Sequence, residues 1–237
     1  MEKSLVIIPT YNEKENIKNI INAVLKQSFH PDVLIVDDNS PDGTSSIVKE
    51  MMGNNKRIKM ILREKKLGLG TAYIDGFKWG LKDNYEYFFE MDADFSHNPD
   101  DLERIYNELK YYDVVIGSRY IKGISVQNWP LSRILLSYFA NLYTRFLTGL
   151  KIKDITAGFV GYKREILEKI PLERIKSDGY GFQIEIKYNA SMKKAKIKEI
   201  PIVFIDRRSG YSKMSKGIIV KAFFLVLKIG MKRFYNR

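Results

Sequence analysis

Asp92-Ala93-Asp94 follows the aromatic, apolar run 85–91, so two carboxylates leave the end of a strand together. In extended chain they share one side, with Ala93 on the other. Unneutralised, each would raise the pKa of the other, whereas a cation between them holds both ionised. A hard divalent ion, Mg2+ or Mn2+, suits such oxygen donors and takes its remaining ligands from water and substrate phosphates. Asp37-Asp38 repeats the pair at another strand end, which favours metal and diphosphate binding over a solvated loop cap. Cations follow at Arg119, at Arg133 and in Arg207-Arg208-Ser209-Gly210-Tyr211-Ser212-Lys213. Guanidinium forks match phosphate oxygens, and a glycine-containing loop can fold over a ligand and exclude water. Gly68-Leu69-Gly70 is not a dinucleotide loop, because the third glycine of such a motif would fall at Tyr73 and the first strand lies far upstream. Those glycines instead let backbone approach a ligand or open a helix.

Side chains of this kind need a rigid frame, and the first half of the chain carries the pattern of one. β-rich runs at 5–8, 34–36, 58–62, 85–91 and 114–117 alternate with amphipathic stretches at 13–26, 44–52, 70–81 and 100–110, the last opened by Pro99. Such alternation builds βαβ units around a mostly parallel α/β sheet. Ligands of open α/β sheets bind at the carboxyl ends of the strands. Here those ends carry Pro9-Thr10-Tyr11-Asn12-Glu13, Asp37-Asp38-Asn39-Ser40, Asp92-Ala93-Asp94 and Ser118-Arg119.

Beyond Gly123 the character changes. Residues 131–150 form a long helical pattern rich in Leu, Phe and Tyr, interrupted by Arg133 and Arg145, which suits internal packing or contact with lipid. Strands are expected at 156–162 and 197–204, with a helix at 183–192 between them. The tail, 216–234, reads as a basic amphipathic helix with Lys221, Lys228 and Lys232 on one face and Phe224, Leu227 and Met231 opposite. A packed terminal helix and a membrane-interface helix fit that pattern equally. One domain over 1–215 and a C-terminal helical extension over 216–237 are expected.

Composition narrows the chemistry. The chain has 237 residues, 45% of them hydrophobic, enough to bury a full core. With no Cys and two His, thiol nucleophiles, iron–sulfur clusters and Cys- or His-rich metal sites are excluded, so a metal must sit on oxygen. Forty Lys and Arg against 28 Asp and Glu give a net charge of +12, which implies an anionic partner: nucleic acid, a membrane surface or a phosphorylated substrate. Nucleic acid is disfavoured, because carboxylates at the strand ends would repel a phosphate backbone and no recognised binding motif occurs. The longest apolar run in the tail, 222–227, is closed by Lys221 and Lys228, so no span of a bilayer is expected. Nor does the N-terminus carry a cationic leader, and a cytoplasmic setting is expected.

In order along the chain stand Ile7-Ile8-Pro9-Thr10-Tyr11-Asn12-Glu13, Asp37-Asp38-Asn39-Ser40-Pro41-Asp42-Gly43-Thr44, Arg63-Glu64-Lys65-Lys66-Leu67-Gly68-Leu69-Gly70-Thr71-Ala72-Tyr73, Met91-Asp92-Ala93-Asp94, Gly117-Ser118-Arg119-Tyr120, Asp178-Gly179-Tyr180-Gly181-Phe182-Gln183, and Asp206-Arg207 through Ser212-Lys213. Together these resemble the family-2 glycosyltransferases of the GT-A fold, a Rossmann-like nucleotide-diphospho-sugar transferase architecture, and more narrowly the dolichyl-phosphate (polyprenyl-phosphate) mannose synthases. The resemblance implies an inverting mannosyltransferase that uses GDP-mannose, a polyprenyl or dolichyl phosphate acceptor and Mg2+ or Mn2+, peripherally bound to the cytosolic face of a membrane. A UDP-glucose-dependent polyprenyl-phosphate glucosyltransferase is the alternative. By position, Pro9, Tyr11, Glu13, Val36 and Asp38 are implied to cradle the nucleotide. Asp92, Ala93 and Asp94 are implied to meet the metal and sugar diphosphate, Arg119, Arg207 and Lys213 the phosphates, and Arg119 and Arg133 the acceptor phosphate. Two positions depart from the family pattern. Ser96 stands where several relatives place a metal-contacting Gln, which gives the metal one protein ligand fewer, and Val160 stands where an Arg is common, which removes an acceptor contact from that strand. The chain resembles the short type without transmembrane helices, and an anchoring partner is left open.

Overall fold

The computed structural model describes residues 2–206 and 216–235. The first half runs β1 (Lys3–Thr10), α1 (Ile17–Leu25), β2 (Asp32–Asp37), α2 (Thr44–Asn54), β3 (Ile58–Leu62), α3 (Leu69–Leu81), β4 (Tyr85–Glu90), α4 (Asp101–Leu109) and β5 (Val114–Ser118). The second runs β6 (Val126–Gln127), α5 (Leu131–Thr148), β7 (Val160–Lys163), α6 (Arg164–Lys169), α7 (Tyr180–Met192), β8 (Ile197–Pro201), β9 (Phe204–Ile205) and α8 (Lys216–Tyr235). Seven strands form one sheet in the order β3-β2-β1-β4-β7-β5-β8. Among the described residues β7 alone runs against the other six. This is the mixed, mostly parallel α/β sheet flanked by helices that the sequence pattern implies.

Strand alternation builds two cores at once. Leu5 and Ile7 face one layer with Leu34, Val36, Phe88, Val114 and Ile116, covered by α3, α6, α7 and α8. Val6 and Ile8 face the other with Val33, Ile35, Phe89 and Val115, covered by α1, α2 and α4. Gly76, which weakens the helical pattern of α3, has a packing reason: a Cβ there would come within 2.6 Å of the Ile7 side chain, so the helix lies closer to the sheet than any other residue allows.

The second half departs from expectation in detail. The strand foreseen at 156–162 forms only over Val160–Lys163, because the preceding residues leave the sheet to line a cleft. The run 197–204 breaks at Ile202-Val203, after which β9 pairs with β6 in a separate two-stranded ribbon. The helix foreseen from Gln183 starts at Tyr180, and that foreseen from Glu13 starts at Ile17. Helix α5 ends on Gly149, whose left-handed φ of 71° lets its N–H bond Arg145 O at 2.8 Å. Helix α8 packs on α5 and α7. Its inward stripe is Ala222, Leu225, Val226 and Ile229, while Phe224 and Met231, on the apolar face set opposite the lysines, are exposed.

Candidate functional site

Parallel pairing brings the carboxyl ends of β1, β2 and β4 to one edge of the sheet, with Thr10 opposite Asp37. The exit loops are stitched together. Asn12 N–H donates to Ser40 Oγ and Glu13 N–H to Thr44 Oγ1, both at 3.0 Å, which sets where Tyr11 and Glu13 stand. The Asp37-Asp38 pair divides its roles. Asp37 is fully buried and accepts from Thr10 Oγ1, Ser40 N–H and Ser40 Oγ at 2.7–2.9 Å, so it holds the turn and is withheld from ligands. Asp38 borders the cleft. Its carboxylate pairs with buried Arg63 and accepts the N–H groups of Leu67 and Gly68 at 3.2 and 3.1 Å, pinning the 63–68 loop.

Strand β4 stops at Glu90, so Asp92-Ala93-Asp94 lies in a loop and the expected strand alternation does not extend through it. All three residues nevertheless line the cleft, with Ala93 buried. The loop is held from behind. Asp92 N–H donates to His97 Nδ1 at 3.3 Å, and the imidazole stacks on Phe159 at 4.9 Å. Burial pushes His97 down to about 4, so at neutral pH the ring is uncharged and able to accept that bond. Ser96 N–H donates to Asp94 Oδ1 at 3.0 Å, with Phe95 between them in the left-handed region at φ 60°. No group of three or more His, Cys, Asp or Glu among the described residues would enclose a metal ion. Two carboxylates beside an open cleft therefore fit a hard ion that draws most of its ligands from a diphosphate and water, not a closed protein cage.

The cleft holds about 400 Å3. It brings together Pro9, Tyr11, Glu13, Asp38, Asp92, Ala93, Asp94, Arg119 and Arg133 from the sequence expectations. Val36 is not among them: its side chain is wholly buried in the core on the α3 side, because strand alternation turns it away from the edge. Arg207 and Lys213 lie outside the described residues. Sequence reasoning assigned no role to Lys66, whose ammonium sits 4.1 Å from the Tyr11 ring centroid, or to Trp129, Asp178, Tyr180, Gln183 and Phe204, all of which line the cleft. The Asp178–Gln183 motif was the available signal for three of these; nothing marked Trp129.

The two expected arginines have different surroundings. Arg119 is buried and makes a two-pronged pair with fully buried Asp154, Nε to Oδ2 at 2.7 Å and Nη2 to Oδ1 at 2.6 Å. Burial works against its charge, but Asp154 more than offsets that and holds the guanidinium ionised. Arg133 lies over the Trp129 ring at 4.0 Å, and its Nη1 donates to Asp206 Oδ2 at 2.9 Å. Buried Arg133 Nε and Trp129 Nε1 have no hydrogen-bond partner among the described residues. Val160 is buried within the sheet, away from the cleft.

Beneath the cleft lies a second charged cluster. Lys187 Nζ donates to Ala157 O and Gln183 Oε1, each at 2.7 Å, and Gln183 Nε2 donates to Glu90 Oε2 at 2.6 Å. Burial pushes Glu90 up to about 7 against the pull of Lys187, and pushes Lys187 down to about 8 against the pull of Glu90.

Trp129, Arg133, Thr156 and Tyr180 also line a second cavity of about 260 Å3 between α5, α7 and α8. Its walls are apolar, built from Leu136, Phe139, Tyr143, Ile184, Phe223 and Val226 among others. Outside it, α5 and α8 expose large apolar side chains, with Phe146 78% and Phe224 62% accessible. Among the described residues no helix is long and apolar enough to cross a membrane.

The glycosyl transferase family 2 profile matches residues 5–171. A polyprenol monophosphomannose synthase from Mycolicibacterium smegmatis is 45% identical over 98% of this chain and 88% of its own. An undecaprenyl-phosphate mannosyltransferase from Micrococcus luteus is 41% identical over 96% of this chain and 93% of its own. Among solved structures, glucosyl-3-phosphoglycerate synthase from Mycobacterium tuberculosis with Mn2+, UDP and phosphoglyceric acid superposes with a TM-score of 0.70 over 97% of this chain and 78% of that one. At 16% identity that likeness shows the GT-A fold alone.

Proposed function

The chain belongs to glycosyl transferase family 2, and on that premise we propose that it is a polyprenyl-phosphate mannosyltransferase, moving mannose from GDP-mannose to the phosphate of a long polyprenol with inversion at the anomeric carbon. The observation that carries this reading is the junction of the two cavities. A polar cleft with Asp92 and Asp94 opens, through Trp129, Arg133, Thr156 and Tyr180, into an apolar groove. An acceptor with an anionic head and an isoprenoid tail matches both sides of that junction. Arg133 and Trp129, each with an N–H lacking a partner among the described residues, suit the phosphate, and the groove suits the first prenyl units. The names borne by the relatives at 41% and 45% identity support the same sugar and acceptor class.

The chemistry asks little of the protein as a base. A phosphate monoester has a second pKa of about 6, so the acceptor oxygen is already ionised at neutral pH. That oxygen bonds to the anomeric carbon as the bond to the departing diphosphate breaks, and the electron pair leaves on GDP. What the chain must supply is alignment and positive charge at the leaving group. Asp92 and Asp94 would hold Mg2+ or Mn2+, which supplies that charge when bound. Arg119, Arg207 and Lys213 are assigned to the phosphates, and Pro9, Tyr11, Glu13 and Asp38 to the nucleoside. The exposed aromatic residues of α5 and α8, with the +12 charge, favour a peripheral position on the cytosolic face of a membrane, apolar side chains entering the interface and cations meeting anionic lipid.

The test is a radiolabelled transfer assay that offers GDP-mannose and UDP-glucose separately, with Mg2+ or Mn2+ and a polyprenyl phosphate in detergent. Label is expected in the organic phase from GDP-mannose alone. Label from UDP-glucose alone would replace the donor, and label from neither would overturn the reading.

A further inference from the structure

Glu90, Gln183 and Lys187 form a polar cluster beside a layer of apolar and aromatic side chains, and each is buried. Burying an ammonium and a carboxylate costs free energy that apolar residues of similar volume would not, so folding alone does not account for them. Their positions offer another reason. On β4, Glu90 shares the face of Phe88 and stands two residues before Asp92. On α7, Gln183 and Lys187 are four apart and stack on one face. Lys187 Nζ also reaches Gln183 O at 3.3 Å and Ala157 O at 2.7 Å, so its three donors are engaged. Three walls of the cleft, the loop that leaves β4 just after Glu90, residues 156–158 and the start of α7, are thereby tied to one ammonium and one carboxylate.

The amide of Gln183 is held at both ends. Its Oε1 accepts from Lys187 and its Nε2 donates to Glu90. A flipped amide would turn N–H toward an ammonium and carbonyl toward a carboxylate, so the orientation is single-valued. Nε2 carries a second hydrogen, and Gln183 lines the cleft. We infer that Lys187 is a positioning residue which, with Glu90, locks Gln183 so that its remaining amide hydrogen meets the transferred sugar on the side away from the nucleoside. This rests on the sugar-transferase reading above and adds to it a residue that touches the sugar and two that hold it in place.

The experiment compares the unaltered protein with Lys187→Met, Gln183→Leu and the double variant, measuring transfer from GDP-mannose, GDP binding by calorimetry and thermal unfolding. Lys187→Met is expected to keep GDP affinity within about twofold and to lose about tenfold or more in kcat, the size of one well-made hydrogen bond. The double variant is expected to match Gln183→Leu alone, because Lys187 acts through Gln183. Should Lys187→Met fail to fold, Glu90→Gln with Lys187→Met removes both charges together and is read the same way. An unaltered kcat, additive losses in the double variant, or GDP affinity falling in step with kcat would each overturn the inference while leaving the functional reading intact. Absence of transfer by the unaltered protein would overturn both.

Discussion

The carboxylate of Asp178 accepts the N–H of Gly70 at 2.7 Å across 108 residues of chain, and that of Gly179 at the same distance. One side chain thus satisfies a free amide in the first turn of α3 and another at the entry to α7. The contact is possible because Gly68 has no side chain: a Cβ there would lie 2.3 Å from Asp178 Oδ2, on a backbone with φ of 101°. Gly68→Ala is therefore expected to destabilise the fold by about 2 to 3 kcal/mol, and Asp178→Ala by about 1 kcal/mol. The double variant should lose less than the two single variants added together, since the clash goes with the carboxylate; chemical denaturation measures all three.

Asp92 and Asp94 line the cleft, whereas Asp37 is fully buried beside it. Asp94→Asn is expected to lower transfer by about 100- to 1,000-fold, the scale of losing one charge-stabilising group, with little change in thermal midpoint. Mn2+ affinity, followed by calorimetry in the presence of GDP, should fall in parallel. Retained turnover would remove the metal-holding role.

The two arginines should fail differently. Removing Arg119 leaves Asp154 buried and unpaired, so Arg119→Ala is expected to destabilise the protein by about 3 to 5 kcal/mol. Arg133 shares its charge with half-buried Asp206 at the cavity junction. Arg133→Ala is expected to raise KM for the prenyl phosphate about 10- to 100-fold with KM for the nucleotide sugar unchanged, which steady-state kinetics separates.

His97 is held down to about 4 by burial, against an unfolded value of about 6.5. The unfolded chain binds the extra proton between those values, so this residue's contribution is fully present above pH 6.5 and is lost as pH falls toward 4, at up to about 1.4 kcal/mol per pH unit. His97→Asn, which cannot gain that proton, should show a flatter fall of unfolding free energy across pH 4 to 6.5.

Deleting residues 216–237 should weaken flotation with anionic liposomes, but it also uncovers the α5 and α7 surfaces that Val226 and Ile229 cover. Phe224→Ser alters the exposed face alone and is the cleaner probe. Binding unchanged in both variants would defeat the part assigned to α8.

How far the sequence carried the reading differs between the halves of the chain. Local pattern sufficed for β1 through β5 and their helices, because each strand is short, apolar on both faces and bounded by turn residues, and because parallel topology sends every carboxyl end to one edge. It sufficed also to bring Asp92 and Asp94 to the cleft, since their position after a strand places them at that edge. It placed Arg119 and Arg133 at the cleft but did not suffice to tell their surroundings apart, since the two look alike in one dimension. Pairing with buried Asp154, a residue 35 positions away, ties Arg119 into the frame while it lines the cleft, whereas Arg133 stands at the meeting of two cavities. Val36 and Asp37 turned inward for the same kind of reason, the direction of a side chain at a strand end being fixed by its neighbours in the sheet. The Glu90–Gln183–Lys187 cluster was illegible for a plainer one: its members join only when α7 packs across β4, and the distance that counts is then 2.6 Å in space across 93 residues of chain.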